Sequence, residues 1–147
     1  MNSPTQPLPT HENSTHPEWL SQFISVYQTL STDNLELLAT IYHDEIVFCD
    51  PMHELNGFTN LSQYFNGLYE NVFSCDFTIN HVIANDNEAA LYWTMTYCHP
   101  KLNKGNLITV EGNSHIKSQD GKVIYHRDYL DLGAMLYEHI PVLGRLT

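Results

Sequence analysis

Four polar side chains near the carboxy-terminal end have the types and spacing that proton transfer needs. Asp120-Gly121 is the pairing favoured by a two-residue hairpin with positive φ, so Gln119 is expected opposite Lys122. Counting back along that ladder sets His115 opposite His126 and Asn113 opposite Asp128. Side chains alternate along strands, so these four are expected on one face, with Glu111 and Leu130 beyond them. A carboxylate and a neighbouring imidazole can exchange protons and set each other's pKa, which is the working part of an acid/base site. The other face would carry Ser114, Ile116, Val123, Tyr125, Arg127 and Tyr129. Periodicity alone leaves open which face is core and which meets solvent or a second subunit.

Asp128 is a carboxylate in mid-strand. If residues 89–99 alternate, Leu91, Trp93, Met95 and Tyr97 share its face, and a charge among them is costly unless it is paired or functional. The structural alternative is a pair with His126 or Arg127. Asp50 precedes Pro51 at a strand end, where an aspartate commonly makes only a turn hydrogen bond. His115, His126 and Asp128 also have the composition of a two-His, one-carboxylate metal triad. No compact ligand motif accompanies them, and a hydrogen-bonded acid/base network uses the same groups, so no metal is expected. Cys49 alternates away from Asp50 and reads as a buried structural thiol. His11, His16, His43, His53 and His139 fall in tails, loops or helix ends and read as surface, whereas His81 and His99 could face either way.

These groups must be positioned by helices first and strands afterwards. Thr15-x-x-Glu18 has capping-box spacing, Pro17 suits a first turn, and Trp19, Leu20, Phe23, Ile24, Tyr27 and Leu30 recur at helical spacing. A short helix is expected from Asp33-Asn34 to His43 and a third from Thr59 or Asn60, with Leu61, Tyr64, Phe65, Leu68 and Tyr69 on one face. Between them Glu45 to Asp50 reads as a strand ending at Pro51. From Cys75 the pattern becomes β-branched and aromatic runs at 75–85, 89–99, 107–118 and 122–131, separated by turn signals, which predicts an antiparallel meander. A short helix interrupted before Pro141 closes the chain. This order predicts an α+β domain with helices on one face of a curved antiparallel sheet and any pocket between the layers. Residues 1–16 are expected to form a flexible tail and 17–147 a single domain.

Composition narrows the partners. The 147 residues carry six Lys and Arg against 17 Asp and Glu, a formal charge of −11, and no Lys or Arg occurs in the first 100 residues. Without a basic patch, neither nucleic acid nor an anionic membrane surface is an expected partner. Hydrophobic residues make up 42% and charged ones only 16%, which indicates a globular chain. Three separated cysteines form no C-x-x-C pair and suggest no disulfide framework, which fits a cytoplasmic protein, and no secretory signal or membrane span is read.

The segments IYHDEIVFCDP (41–51), with Gly57 after it, and IYHRDYLDL (124–132), in the context of three helices followed by a meander, resemble the nuclear transport factor 2-like superfamily over about residues 18–140. Its members include ketosteroid isomerases, limonene-epoxide hydrolases and SnoaL-like polyketide cyclases. The resemblance implies a cone in which helices close one end and a curved sheet walls a mostly apolar cavity. It makes the cavity face the one assigned to Asn113, His115, His126 and Asp128.

Asp50 matches the general base of ketosteroid isomerases, but the second acid of that pattern falls at Asn113 and its helix-one tyrosine at Val26, beside Tyr27. Asp128 matches the water-activating carboxylate of limonene-epoxide hydrolases. Their Arg and Asp fall near Met95 and Tyr97, and their Tyr and Asn at Phe48 and Asp50, so epoxide hydrolysis is not implied. Asp128 and His115 match in kind the acid/base pair of SnoaL-like cyclases, which close a ring by an aldol reaction without cofactor.

The resemblance thus implies a cofactor-independent cyclase or isomerase acting on a small hydrophobic carbonyl substrate. Asp128 and Asp50 would move a proton, with His126 beside them, and His115 and Asn113 would stabilise the enolate oxygen. Tyr27, Phe48, Tyr64, Trp93, Met95, Tyr97 and Leu130 would line the pocket. The alternative is a non-catalytic module that binds a small lipophilic ligand or serves as a dimerisation scaffold. In either case Ile116, Tyr125, Arg127 and Tyr129 on the outer face would suit a homodimer.

Overall fold

The computed structural model describes residues 15–70, 72, 74–131 and 133. The expected amino-terminal tail, apart from Thr15 and His16, and the expected carboxy-terminal helix, apart from Gly133, lie outside the described residues.

Helix α1 (Glu18–Thr29) buries Trp19, Leu20, Phe23, Val26 and Tyr27, the stripe that a 3.6-residue period creates. The expected capping box does not cap it. Pro17 is the N-cap residue and no side chain caps the helix, while the Pro17 carbonyl accepts from the N–H groups of Leu20 and Ser21 at 3.1 Å. The expected second helix is only a 3₁₀ stretch, Leu35–Thr40. It stops because the backbone then joins the sheet: the Ile41 carbonyl accepts from Val123 N at 2.8 Å and Tyr42 pairs with Val123. Strand β1 therefore spans Tyr42–Cys49 and starts earlier than Glu45.

Strand β2 (Glu54–Asn56) forms inside the segment expected to be a loop, with Cys49 paired to Glu54, so the chain reverses over Asp50–His53. At Gly57, φ of 88° lets its N–H reach Ile46 O at 2.7 Å before helix α2 (Phe58–Glu70) begins. Strands β3 (Ser74–Ala84), β4 (Glu88–Cys98), β5 (Ile108–Gln119) and β6 (Lys122–Leu130) form the expected meander.

The sheet has the order β2-β1-β6-β5-β4-β3. It is mixed rather than wholly antiparallel, because β1 runs parallel to β6. The intervening helix and meander provide the long connection that a parallel pair requires. A continuous buried core joins α1 and α2 to the sheet, with Leu20, Leu38, Ile46, Leu61, Leu91 and Ile116 almost wholly excluded from solvent. Each such side chain contributes about 1.5–3 kcal/mol by burial. Among the described residues no helix is long and apolar enough to cross a membrane.

The last hairpin departs from the expected register. Asp120 and Gly121 do adopt positive φ, 56° and 80°, and Gln119 does pair with Lys122. An irregularity follows at once: Ser118 pairs with Val123 but Lys117 with Tyr125, so Ile124 is the extra residue of a bulge. From there every β5 residue meets a partner one position later than expected. His115 lies opposite Arg127, Asn113 opposite Tyr129, Ile116 opposite His126 and Ser114 opposite Asp128. A one-residue slip on a period of two exchanges the faces of one strand relative to the other.

Candidate functional site

A cavity of about 710 Å³ opens between the helices and the sheet. Phe23, Tyr27, Phe48, Phe77, Trp93 and Met95 contribute to its largely apolar wall, and two carboxylates, Asp50 and Asp128, also line it. They enter from adjacent strands at the same level. The last paired residues of β1 and β6 are Cys49 and Arg127, and each aspartate is the next residue along. Neighbouring strands lie about 4.8 Å apart, so both acids leave one edge of the wall.

Asp128 sits at the end of two hydrogen-bond chains. Trp93 Nε1 donates to Ser114 Oγ at 2.8 Å, and Ser114 Oγ donates to Asp128 Oδ1 at 2.5 Å. On the other side Tyr27 Oη lies 2.5 Å from Tyr42 Oη, which lies 2.7 Å from His126 Nδ1, while His126 Nε2 lies 2.6 Å from the same Oδ1. An ionised carboxylate only accepts, so Nε2 carries the proton and, in the neutral ring, Nδ1 accepts from Tyr42, which in turn accepts from Tyr27. Burial pushes both phenols well above the ordinary tyrosine value, so they remain donors. Both chains end on Oδ1 and Oδ2 takes none of these bonds. The imidazole is sealed at 3% exposure, with its ring stacked on Tyr42 and packed against Phe48, while the Asp128 side chain keeps 20%.

Gly112 permits the Trp93 arm of this network. It pairs directly with Trp93, and a β-carbon there would stand 2.5 Å from the indole.

Asp50 is wrapped differently. Its Oδ1 accepts Met52 N at 2.9 Å and His53 N at 2.7 Å, the turn geometry expected of an aspartate before Pro51. Tyr64 Oη donates to Oδ2 at 2.5 Å, and His53 Nδ1 lies 3.0 and 3.2 Å from the two oxygens. Burial raises the carboxyl pKa, but the bonds from Tyr64, Met52 and His53 outweigh it and hold Asp50 below the ordinary carboxylate range. Burial and the Asp50 bond raise Tyr64, so that phenol stays a donor.

Of the expected acid/base residues, His126, Asp128 and Asp50 line one cavity, as do Tyr27, Phe48, Tyr64, Trp93, Met95, Tyr97 and Leu130. Asn113 and His115 do not. The bulge turns His115 to the opposite face, where its Nε2 binds Glu88 Oε2 and its ring meets Tyr125. The His115 bond holds the Glu88 carboxyl below its ordinary value. Ile116, expected outside, is fully buried in the core, so it cannot serve an outer-face dimer. The expected trio of His115, His126 and Asp128 is divided between the two faces, and no three His, Cys, Asp or Glu among the described residues stand close enough to hold a metal ion.

Three participants escaped the sequence reading: Ser114, Tyr42 and His53. The ungapped ladder sets Ser114 on the outer face, helical spacing sets Tyr42 at a helix end, and its loop position makes His53 read as surface. Tyr42 alone had a signal, as the first aromatic of an apolar strand run. Cys49 is half-buried rather than buried, its Sγ 4.0 Å from Glu54, and burial raises its thiol pKa.

Residues 23–126 match the family model described as the SnoaL-like domain. None of the curated proteins matches the chain. Among solved structures, a Jannaschia sp. CCS1 protein described by its likeness to SnoaL-like polyketide cyclases superposes with a TM-score of 0.72, at 12% identity, over 90% of this chain and 95% of its own. A similarly described protein of Shewanella putrefaciens CN-32 gives 0.70 at 16% identity, over 86% and 98%. A Catenulispora acidiphila protein with a ketosteroid isomerase-like fold, solved with trimethylamine, gives 0.71 at 12% identity, over 84% and 93%. At such identities the likeness is one of fold.

Proposed function

The chain belongs to the SnoaL-like domain family, and on that footing we propose that it is a cofactor-independent acid/base enzyme of the cyclase or isomerase type, acting on a small hydrophobic carbonyl substrate. One observation carries this reading: a carboxylate whose hydrogen bonds from the described residues all fall on Oδ1 lines a cavity walled largely by aromatic and aliphatic side chains. Ser114 and His126 hold the Asp128 side chain in one rotamer, and the idle oxygen, Oδ2, is the basic atom available to a bound molecule. Oriented general bases of this kind supply about 10²- to 10⁴-fold in rate.

In this mechanism Oδ2 removes a proton from the carbon beside the carbonyl and returns one after the new bond or double-bond position is set. His126 keeps Nε2–H on Oδ1 and Nδ1 against the Tyr42 hydroxyl. The aromatic wall excludes water and orients the substrate plane.

The reading is tested by hydrogen–deuterium exchange at the α-carbons of 2-tetralone, an apolar aryl ketone, followed by NMR in D₂O. The wild-type protein is expected to exchange those positions faster than buffer does, and Asp128→Asn to lose about 10²-fold or more of that acceleration while retaining ketone binding. Binding with no acceleration above Asp128→Asn would reduce the cavity to a ligand-holding module.

A further inference from the structure

The Asp50 cluster is more than a turn. Its imidazole is 45% exposed and lines the cavity, its carboxylate is only 13% exposed, and Nδ1 faces both carboxylate oxygens. An ionised acceptor at Nδ1 fixes the tautomer: Nδ1 carries its proton towards Asp50, and Nε2 is the atom left to act. Four other hydrogen-bond donors of the wall are already spent within the protein, whereas Tyr69 Oη lines it without a hydrogen-bond partner among the described residues. Tyr27 serves Tyr42, Trp93 serves Ser114, Ser114 serves Asp128 and Tyr64 serves Asp50. His99 also lines the cavity, with its Nδ1 accepting the Lys101 N–H at 3.0 Å, but among the described residues no carboxylate orients it. The parallel register sets Asp50 beside Asp128, so a group carried by Asp50 is within reach of a molecule sitting on Asp128.

We propose that His53, oriented by Asp50 and Tyr64, is a second proton-transfer group of the cavity, exchanging its Nε2 proton with the carbonyl oxygen of the substrate while Asp128 works at the neighbouring carbon. This rests on the reading of Asp128 as the carbon base. From the imidazolium form, Asp128 Oδ2 takes the proton of the α-carbon and the C–H electron pair becomes the C=C bond of an enol. The carbonyl π pair takes the Nε2 proton, leaving a carboxylic acid at Asp128 and a neutral imidazole at His53. Return of a proton from Asp128 to carbon, and of the hydroxyl proton to His53, restores both groups. Exposure of His53 lets it re-equilibrate with water between turnovers.

In the tetralone assay His53→Ala is expected to lower exchange at least tenfold, and added imidazole to restore part of the loss, which a merely structural role would not permit. His81→Ala, exposed against Tyr92 and absent from the cavity wall, serves as the unchanged control. Unchanged exchange in His53→Ala, alongside its loss in Asp128→Asn, would remove His53 from the mechanism and leave Asp128 in place. A second measurement needs no turnover. Titration of ¹⁵N-histidine-labelled protein with p-nitrophenol, an enol mimic, is expected to shift the His53 Nε2 resonance, and His53→Ala to bind the phenol at least tenfold more weakly. No phenol binding, or binding that leaves the His53 resonance still, overturns the proposal whatever the ketone does.

Discussion

The cavity contains the same pair of residue types twice, in opposite orders. At β6 the imidazole of His126 is buried and the Asp128 carboxylate faces the lumen; at the β1–β2 reversal the Asp50 carboxylate is wrapped and the imidazole of His53 is exposed. Burial rather than composition separates their roles. The buried member of each pair has every polar atom committed to the protein, whereas the outer member keeps one atom, Oδ2 of Asp128 or Nε2 of His53, without a hydrogen bond to the described residues. An Asp–His pair found in a sequence therefore does not say which partner is the working group.

The largest expected effect is on chemistry: Asp128→Asn should remove about 10²-fold or more of the ketone exchange, whereas Asp50→Asn should remove less, because it acts only through His53. Gly112→Ala should next be the most damaging to the fold of the first pair. The added carbon meets the Trp93 ring and the Tyr129 carbonyl, at a cost of about 1–3 kcal/mol in urea unfolding and with a changed tryptophan emission as Nε1 leaves Ser114. Tyr42→Phe strands the buried Nδ1 of His126 and should cost on the order of 1–3 kcal/mol. Tyr64→Phe, at a half-buried site, should cost less in stability, with the loss largest near neutrality and fading in acid as Asp50 protonates.

The smallest effect is the pH term of Asp50. Asp50 is held below the ordinary carboxylate range in the folded state, so its contribution is present above about pH 4 and is lost as pH falls through the lower folded value. The stability gap between wild type and Asp50→Asn, read from urea midpoints, should therefore be widest near neutrality and shrink towards pH 2. A gap independent of pH would mean that the turn bonds rather than the charge hold the loop.

Much of the architecture was legible because it rests on local periodicity. The α1 stripe, the apolar run of β1 and four strands cut by turn residues all express patterns that survive any tertiary context. The alternation of Leu91, Trp93, Met95 and Tyr97 placed all four on one face, and all four line the cavity. What failed was pairing between distant segments. Ile41 and Tyr42 read as the end of a helix because only their bonds to Val123, far along the chain, make them strand. The ladder counted from Asp120-Gly121 had the right turn, yet it misplaced Asn113 and His115 because nothing in the residues around Ile124 announces a bulge.

Composition and local pattern were enough for the α+β order, the hairpin at Asp120-Gly121, the acidic character with few Lys and Arg, and the candidacy of Asp128 and Asp50. Tertiary structure alone decided which groups surround them. The bulge exchanged His115 for Ile116 opposite His126 and Asn113 for Ser114 opposite Asp128, and the parallel β1–β6 pairing brought two acids separated by more than half the chain to one edge of one cavity. The physical reason is that hydrophobic period is a property of each strand separately, whereas register is a property of two strands, and a single unpaired residue reassigns every face beyond it.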